Sequence, residues 1–412
     1  MPAPRVVITG LGAVSPHGRG VAAFWNGLLE GRSAFAPITL FDAGPFRNPL
    51  AGEVPGYPYL PGGRPRAFRM LQHACSEALH DALGLPATAG DAAVASQVAR
   101  TFSLRGAAVV AGTNFGGMSA AERALLQGEA DPGEASLSEY LFGAASEGVS
   151  STYGLTGPRL NLSLSCASGT AAIGIAYDLI RRGRVQAAIA CGYDELSLFI
   201  YAGLSALRAI TPETIRPFDR RRKGTLFSEG AGALVLENAE SAQRRKAATL
   251  YAEIRGRALN NDAYHMTAPE QEARGIQALL RAALRDAALE PEAIDHLNLH
   301  ATGTPYNDKI ETLAVKSVFG ARGATIPVCA VKSSIGHTMG AAGILESIAA
   351  VRTIRDGKVP PVLGLEKSEQ DPECGLNAPV GAPLEGVFTT VLKTSYGFGG
   401  TNAAVVFGKV EG

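Results

Sequence analysis

LNLSLSCASGTAAI, residues Leu160 to Ile173, decides the fold class. Leu160, Leu162 and Leu164 alternate with Asn161 and Ser163, the two-residue period of a half-buried strand. The alternation breaks at Ser165-Cys166. A small-residue segment, Ala167 to Ala176, follows and continues into Tyr177-Asp178-Leu179-Ile180-Arg181-Arg182, a helix that is amphipathic only toward its end. Cys166 is therefore expected where a strand turns into a helix N-terminus. Unpaired N–H groups and the positive end of the helix dipole favour a thiolate there. Its small neighbours leave room for a ligand or another backbone. The competing reading is a small buried core cysteine.

Outward from this stretch, strands and helices alternate. Arg5 to Thr9 reads as a first strand, and GLGAVS after it lacks the third glycine of a dinucleotide fingerprint. Phe24 to Leu29 reads as helical. Thr39 to Pro65, rich in Pro and Gly, reads as a long surface excursion. Arg66 to Leu83 reads as an amphipathic helix with Phe68, Leu71, Ala74, Ala78 and Leu79 on one face. Ala107 to Ala111 is a strand, with a helical stretch after it to about Gln127. Ala187 to Ala190 is another strand, and GTLFSEGAGALVLE ends as one. The second half starts near Thr249, with a helix over Glu272 to Ala288 and strands at Leu297 to His300 and Val328 to Lys332. A small-residue helix then runs to about Ile354. Thr389 to Lys393 and Ala403 to Phe407 form a hairpin-like pair around SYGFGGTN.

One internal echo organises the whole. Cys166 opens a small-residue helix that closes with LIRRGRV, and His337 precedes one that closes with TIRDGKV. Alternating strands and helices argue an α/β fold, and the echo argues two similar halves, residues 1–248 and 249–412, with the two small-residue helices as the central buried pair. Cys166, His300 and His337 all fall at strand ends, where α/β sheets place their sites.

Composition narrows the function. Acids and bases balance at 38 each over 412 residues, which argues against a nucleic-acid binder or a polybasic membrane tail. The five cysteines, Cys75, Cys166, Cys191, Cys329 and Cys374, are odd in number and widely spaced with no CxxC pair. That argues against a disulfide framework and for a reducing compartment. The N-terminal PAPRVVITGLG lacks the apolar run of a secretory signal, and no stretch reaches about 18 apolar residues. A cytoplasmic protein is expected.

Of seven histidines, two carry chemistry. His296 and His300 would make a metal pair on a helix, but the Leu297/Leu299 alternation marks a strand, which spreads them over ~13 Å. No metal site is expected. His300 and His337 each end a strand beside Gly, Thr and Ser. One cysteine with two histidines fits a nucleophile assisted by acid/base groups or hydrogen-bond donors. Attack on a thioester needs the thiol, and cleaving a carboxylate from a malonyl group needs donors for the enolate that forms. Backbone N–H groups of GFGG suit an oxyanion hole.

These motifs together resemble the β-ketoacyl-acyl carrier protein synthases, condensing enzymes of the thiolase superfamily, and most of all the elongating type II enzymes and standalone polyketide ketosynthases. SCASGTAAIG resembles the nucleophile motif, on Cys166. NLHATGTPYNDKIE resembles the first histidine motif and brings His300, Asp308 and Glu311. VKSSIGHTMGAAGILE resembles the second and brings Lys332 and His337. SYGFGGTN resembles the loop whose phenylalanine, here Phe398, gates the acyl pocket. NNDAYHMTAP also matches, and the motifs run from Arg5 to Phe407.

The resemblance implies a duplicated thiolase-like α/β fold of five layers, α-β-α-β-α, with two five-stranded mixed sheets. It implies decarboxylative condensation of an acyl thioester with malonyl-acyl carrier protein, in fatty-acid or polyketide synthesis. Cys166 would take the acyl chain, its N–H and that of Phe398 forming the oxyanion hole. His300 and His337 would support decarboxylation, steadied by a Lys332–Glu311 ion pair. Thr267, Thr302 and Thr304 would line the tunnel for the phosphopantetheine arm, which the carrier protein supplies, so no cofactor of its own is expected. Phe115 would line the acyl pocket. Arg69 and Arg208 would dock the acidic carrier protein. A homodimer is implied, with a heterodimer alongside a chain-length factor, or a non-catalytic partner role, as the alternative. Non-catalytic partners typically lack the cysteine. A thiolase would need a second cysteine where Phe398 stands, and a CoA-primed starter synthase would pair Cys with His and Asn. Two departures stand out: Ala301 where glycine is usual, and Ser228 in a GEG-like motif.

Overall fold

The computed structural model describes residues 4–60, 64–102, 106–126 and 140–411. Five strands of the main sheet's continuous path come from the first half: β1 (Val6–Ser15), β2 (Ala107–Gly112), β3 (Arg159–Leu162), β4 (Ala187–Asp194) and β5 (Gly230–Asn238). Five come from the second: β6 (Ala252–Asn261), β7 (His296–Asn298), β8 (Val328–Cys329), β9 (Thr390–Gly397) and β10 (Thr401–Gly408). Each half mixes parallel and antiparallel pairs. The two halves are not separate sheets, however. Val6, Val7 and Ile8 of β1 pair with Ile254, Glu253 and Ala252 of β6, giving one path, β8-β7-β9-β10-β6-β1-β5-β4-β2-β3. All ten residues of β1 are buried. Val6 to Val14 pair with β5 along one edge of the strand, and Val6 to Ile8 offer their other edge to β6.

Five helices complete the layers: α1 (Arg66–Leu83), α2 (Ser168–Arg181), α3 (Arg274–Ala287), α4 (Pro305–Phe319) and α5 (Ala342–Asp356). The expected face of α1 is buried, and Met70, Ala74 and Ala78 pack on Val109, Ile189 and Val235. On the far side, Leu280 and Leu284 of α3 and Ala314 and Val318 of α4 cover Leu297, Leu392 and Val406. Between the half-sheets lie α2 and α5, with Ala172, Ile173, Ile344 and Ile348 against Ile8, Leu234, Val391 and Val405. The two-residue strand period makes this possible: Val391 faces the central layer and Leu392 the outer one.

The small-residue composition of α2 and α5 has a steric cause. A Cβ on Gly343 would lie 2.2 Å from Thr170 N, and one on Gly169 would lie 2.7 Å from Gly340 O. Only glycine permits this approach. The contact ties the helix after Cys166 to the helix after His337.

The Thr39 to Pro65 stretch is more than a surface excursion. Asn48, Ala51, Val54 and Tyr57 are buried, and Phe41 and Phe46 stack around Tyr201. Its prolines and glycines hide an apolar lining that has no regular period. The stretch expected to be helical up to Gln127 is a helix over Met118–Leu126, and Gln127 lies outside the described residues.

Candidate active site

The strand before the nucleophile ends at Leu162, and Ser165 takes a left-handed conformation, φ 49°. This sharp turn raises Cys166 to the N-terminal end of α2. The expectation of a resting thiolate fails here. Ala167 N donates to Leu164 O at 3.1 Å and Ser168 N to Ser165 O at 3.0 Å, so the turn itself consumes N–H groups the thiolate would need. Burial of Sγ pushes the thiol up to about 12, with the Lys332 ammonium pulling the other way. Cys166 rests as a thiol and must give up its proton during attack.

His300 follows β7. Its N–H and that of Ala301 donate to the two oxygens of Glu311, both at 2.8 Å. Ala301 stands at φ 41°, the left-handed region that favours glycine, which costs about 1–2 kcal/mol for a residue with a Cβ. Lys332 Nζ donates to His300 O at 2.8 Å and reaches Nδ1 at 3.2 Å. A protonated lysine makes Nδ1 an acceptor, so Nε2 carries the proton. The same logic holds at His337, where Met339 N donates to Nδ1 at 3.1 Å and leaves Nε2 without a partner among the described residues. The His337 backbone is pinned by Leu226 and Ser228, so the SEG departure lies beside the second histidine. The rings stand perpendicular with centroids 5.5 Å apart. Cys166 Sγ and a ring nitrogen of each histidine all lie within 4.8 Å of one another. Burial first, then the Lys332 charge, holds both imidazoles well below their ordinary pKa. Both are neutral N–H donors at neutral pH.

The Lys332–Glu311 ion pair does not form. Glu311 is committed to the two backbone N–H groups and to Thr394 Oγ1 at 3.0 Å, and burial pushes it up to about 7. Lys332 instead pairs with Glu346 of α5. Glu346 also lies 2.7 Å from Lys393 Nζ of β9. Neither Glu346 nor Lys393 is singled out by the sequence patterns, although each is a charge inside an otherwise apolar run. Asp194 is a third missed residue. Fully buried and pushed up to about 7 by that burial, it accepts from Thr113 Oγ1, Asn114 N, Phe115 N and Gly340 N. It thereby fixes the Phe115 turn to the start of the His337 helix.

Cys166, His300 and His337 open into a cavity of about 590 Å³. Thr267, Thr302, Thr304, Phe115, Phe398 and Arg208 line it. Lys332, Glu311 and Asp308 are buried behind it, Asp308 holding the loop through Gly303 N and Phe218 N. A methyl on Gly397 would lie 3.1 Å from Cys166 N, so the turn bearing Phe398 closes directly on the nucleophile. Arg208 is exposed at the mouth, its guanidinium without a partner among the described residues. Arg69 does not line the cavity: it is half-buried, bonded to Pro58 O and set over the Tyr57 ring.

Residues 3–242 match the β-ketoacyl synthase N-terminal domain and residues 251–366 its C-terminal domain. The chain belongs to the β-ketoacyl synthase family. The synthase is 36% identical to 3-oxoacyl-[acyl-carrier-protein] synthase 2 of Coxiella burnetii, over 98% of this chain and 99% of that one. It superposes with a TM-score of 0.89 on the ketosynthase complex of a type II polyketide acyl-carrier protein, at 28% identity, covering 99% and 100% of the two chains. The ishigamide ketosynthase/chain length factor matches with a TM-score of 0.86 at 34% identity, over 99% and 100%. The synthase is thus a condensing enzyme of the acyltransferase class with the thiolase-type fold. No helix among its described residues is long and apolar enough to cross a membrane.

Proposed function

We propose that this synthase elongates acyl chains held on acyl carrier protein by decarboxylative condensation with malonyl-acyl carrier protein. The observation that carries the proposal is the single cluster of one thiol and two neutral imidazoles, within 4.8 Å, at the floor of a cavity about 590 Å³ in size. The Cys166 thiol attacks the acyl thioester, its proton is relayed to the departing sulfur, and the carrier leaves as its free thiol. The oxyanion is received by the N–H groups of Cys166 and Phe398. The Nε2–H groups of His300 and His337 then hold the enolate formed as malonyl loses carbon dioxide. The enolate carbon attacks the acyl-Cys166 carbonyl and Cys166 is released. Lys332 keeps His300 in the required tautomer. The carrier protein brings the phosphopantetheine arm along Thr267, Thr302 and Thr304, and the synthase needs no cofactor of its own. Incubation with a panel of acyl carrier proteins, followed by mass detection, should give one acyl adduct on Cys166. Absence of any adduct across the panel would refute the proposal.

A second copy is the proposed partner in a homodimer. The β3 edge, with half-buried Leu160 and Leu162 beside exposed Arg159, is open for pairing. Likeness to the ishigamide ketosynthase/chain length factor supports the second reading, a heterodimer in which this chain is the cysteine-bearing subunit. Five free thiols suit a reducing compartment, the cytoplasm.

Carrier docking falls to Arg208 rather than Arg69, since of the two it is Arg208 that stands exposed at the mouth without a partner among the described residues. Arg208→Glu should raise KM for acyl carrier protein and leave turnover of a small acyl thioester unchanged, because rim charges act mainly on encounter. Equal losses with both substrates would mean structural damage.

Phe115 packs against the buried cluster that contains Leu204, lines the cavity with Leu204 and Phe398, and fills space an aliphatic chain would use. Short, planar or unsaturated acyl groups should be preferred. Phe115→Ala should shift the kcat/KM profile to longer chains, each added buried methylene contributing roughly 0.8 kcal/mol. An unchanged length profile would place the end of the pocket elsewhere.

A further inference from the structure

Lys393 is the one charged residue in β9, and it is wholly buried. Its Nζ lies 2.7 Å from Glu346 Oε2 and 2.9 Å from Ser395 Oγ, and also donates to Thr394 O. Lys332 Nζ holds the other oxygen of the same carboxylate, Oε1. One carboxylate is therefore gripped between two ammonium groups, and one of these is the donor to His300 Nδ1. Ser395 Oγ in turn bonds Thr170 Oγ1 at 2.8 Å, on the first turn of the helix that Cys166 precedes. Lys393 reaches the histidine side of the site through Glu346 and the nucleophile side through Ser395.

The charge count makes this arrangement informative. Lys332 with Glu346 is already a neutral buried pair. Lys393 adds a second cation that bonds no other carboxylate among the described residues. A surplus buried charge is costly to keep dry unless something offsets it.

We propose that Lys393 is a positioning residue: it clamps Glu346 so that Lys332 stays on His300 Nδ1, and its charge keeps the histidine pair unprotonated and favours the enolate between them. The proposal rests on reading His300 and His337 as the decarboxylating pair. The groups facing His300 are Lys332, His337, Cys166, Tyr396 and, one step back, Glu311, Glu346 and Lys393. Of these, Lys332, Lys393 and His337 lower the basicity of His300, and only Lys393 can be neutralised without touching the cavity or its direct hydrogen bonds.

The test is the pH profile of malonyl-carrier-protein decarboxylation by the full chain, from about pH 5 to 9, for wild type, K393M and K393Q. Both variants retain the Lys332–Glu346 pair and so orphan no charge. Loss of one nearby cation should move the acid limb of kcat upward by about one pH unit in both, with KM unchanged. K393R, which keeps the charge, should stay with wild type. An acid limb that does not move in the folded variants overturns the proposal. Unfolding of both K393M and K393Q overturns it too, since Lys393 would then be a structural ion partner. A wild-type protein that decarboxylates nothing would fail the functional reading instead.

Discussion

Cys166→Ala should lose the acyl-enzyme entirely and lower condensation by roughly 10⁴-fold or more, yet keep its fold and still decarboxylate malonyl-acyl carrier protein. Only acyl transfer needs the sulfur. Decarboxylation needs donors for the enolate oxygen, and these sit on His300 and His337, whose tautomers are set by Lys332 and by Met339 N rather than by Cys166. Alanine in place of a half-buried cysteine leaves the Leu164–Ser165 turn bonds untouched, because they use backbone atoms. Intact-mass analysis after incubation with acyl carrier protein, with carbon dioxide release measured in parallel, separates the two half-reactions. A mutant that still elongates would remove Cys166 as nucleophile.

His300→Ala and His337→Ala should show the complementary pattern. Each deletes one enolate donor, worth roughly 2.7–4 kcal/mol, so decarboxylation should fall about 10²–10³-fold. The two differ in their side effects. His300 removal also strips Lys332 of a partner, while His337 removal leaves Met339 N without its acceptor. Either mutant decarboxylating at the wild-type rate would mean that its histidine does not hold the enolate. Because burial and Lys332 keep both imidazoles well below their ordinary range, wild-type decarboxylation should be flat above about pH 6.5 and fall only as acid protonates a donor pair that must stay neutral.

What could be read in the residues depended on where periodicity breaks. Cys166, His300 and His337 each interrupt a strand or precede a small-residue helix, so they announce themselves. The small-residue helices were legible as the central pair for the same reason. Glu346 and Lys393 were not, because ILESIAAV and TVLKTSY keep their apolar period around a single charge, and the pairing that explains those charges joins distant parts of the chain. Glu311 was given the wrong partner because its real partners are backbone N–H groups, which no residue pattern displays. The resting thiolate failed on the same ground: the turn that exposes Cys166 spends the N–H groups that would have charged it. The seam between half-sheets is three residue pairs long, too short to leave a mark in β1.

The backbone contact between Gly169 and the Gly340–Gly343 segment carries a consequence for how the enzyme comes into being. A chain emerges from the ribosome N-terminus first. The cysteine is made long before either histidine, and the face of its helix that bears Gly169 and Thr170 waits uncovered until the segment after His337 arrives to dock. Throughout that interval the thiol has neither enolate donor beside it. A half-made or truncated chain therefore carries a cysteine that cannot turn over carrier-bound thioesters, and catalytic competence is acquired in a single late step, when the second half seats against the first.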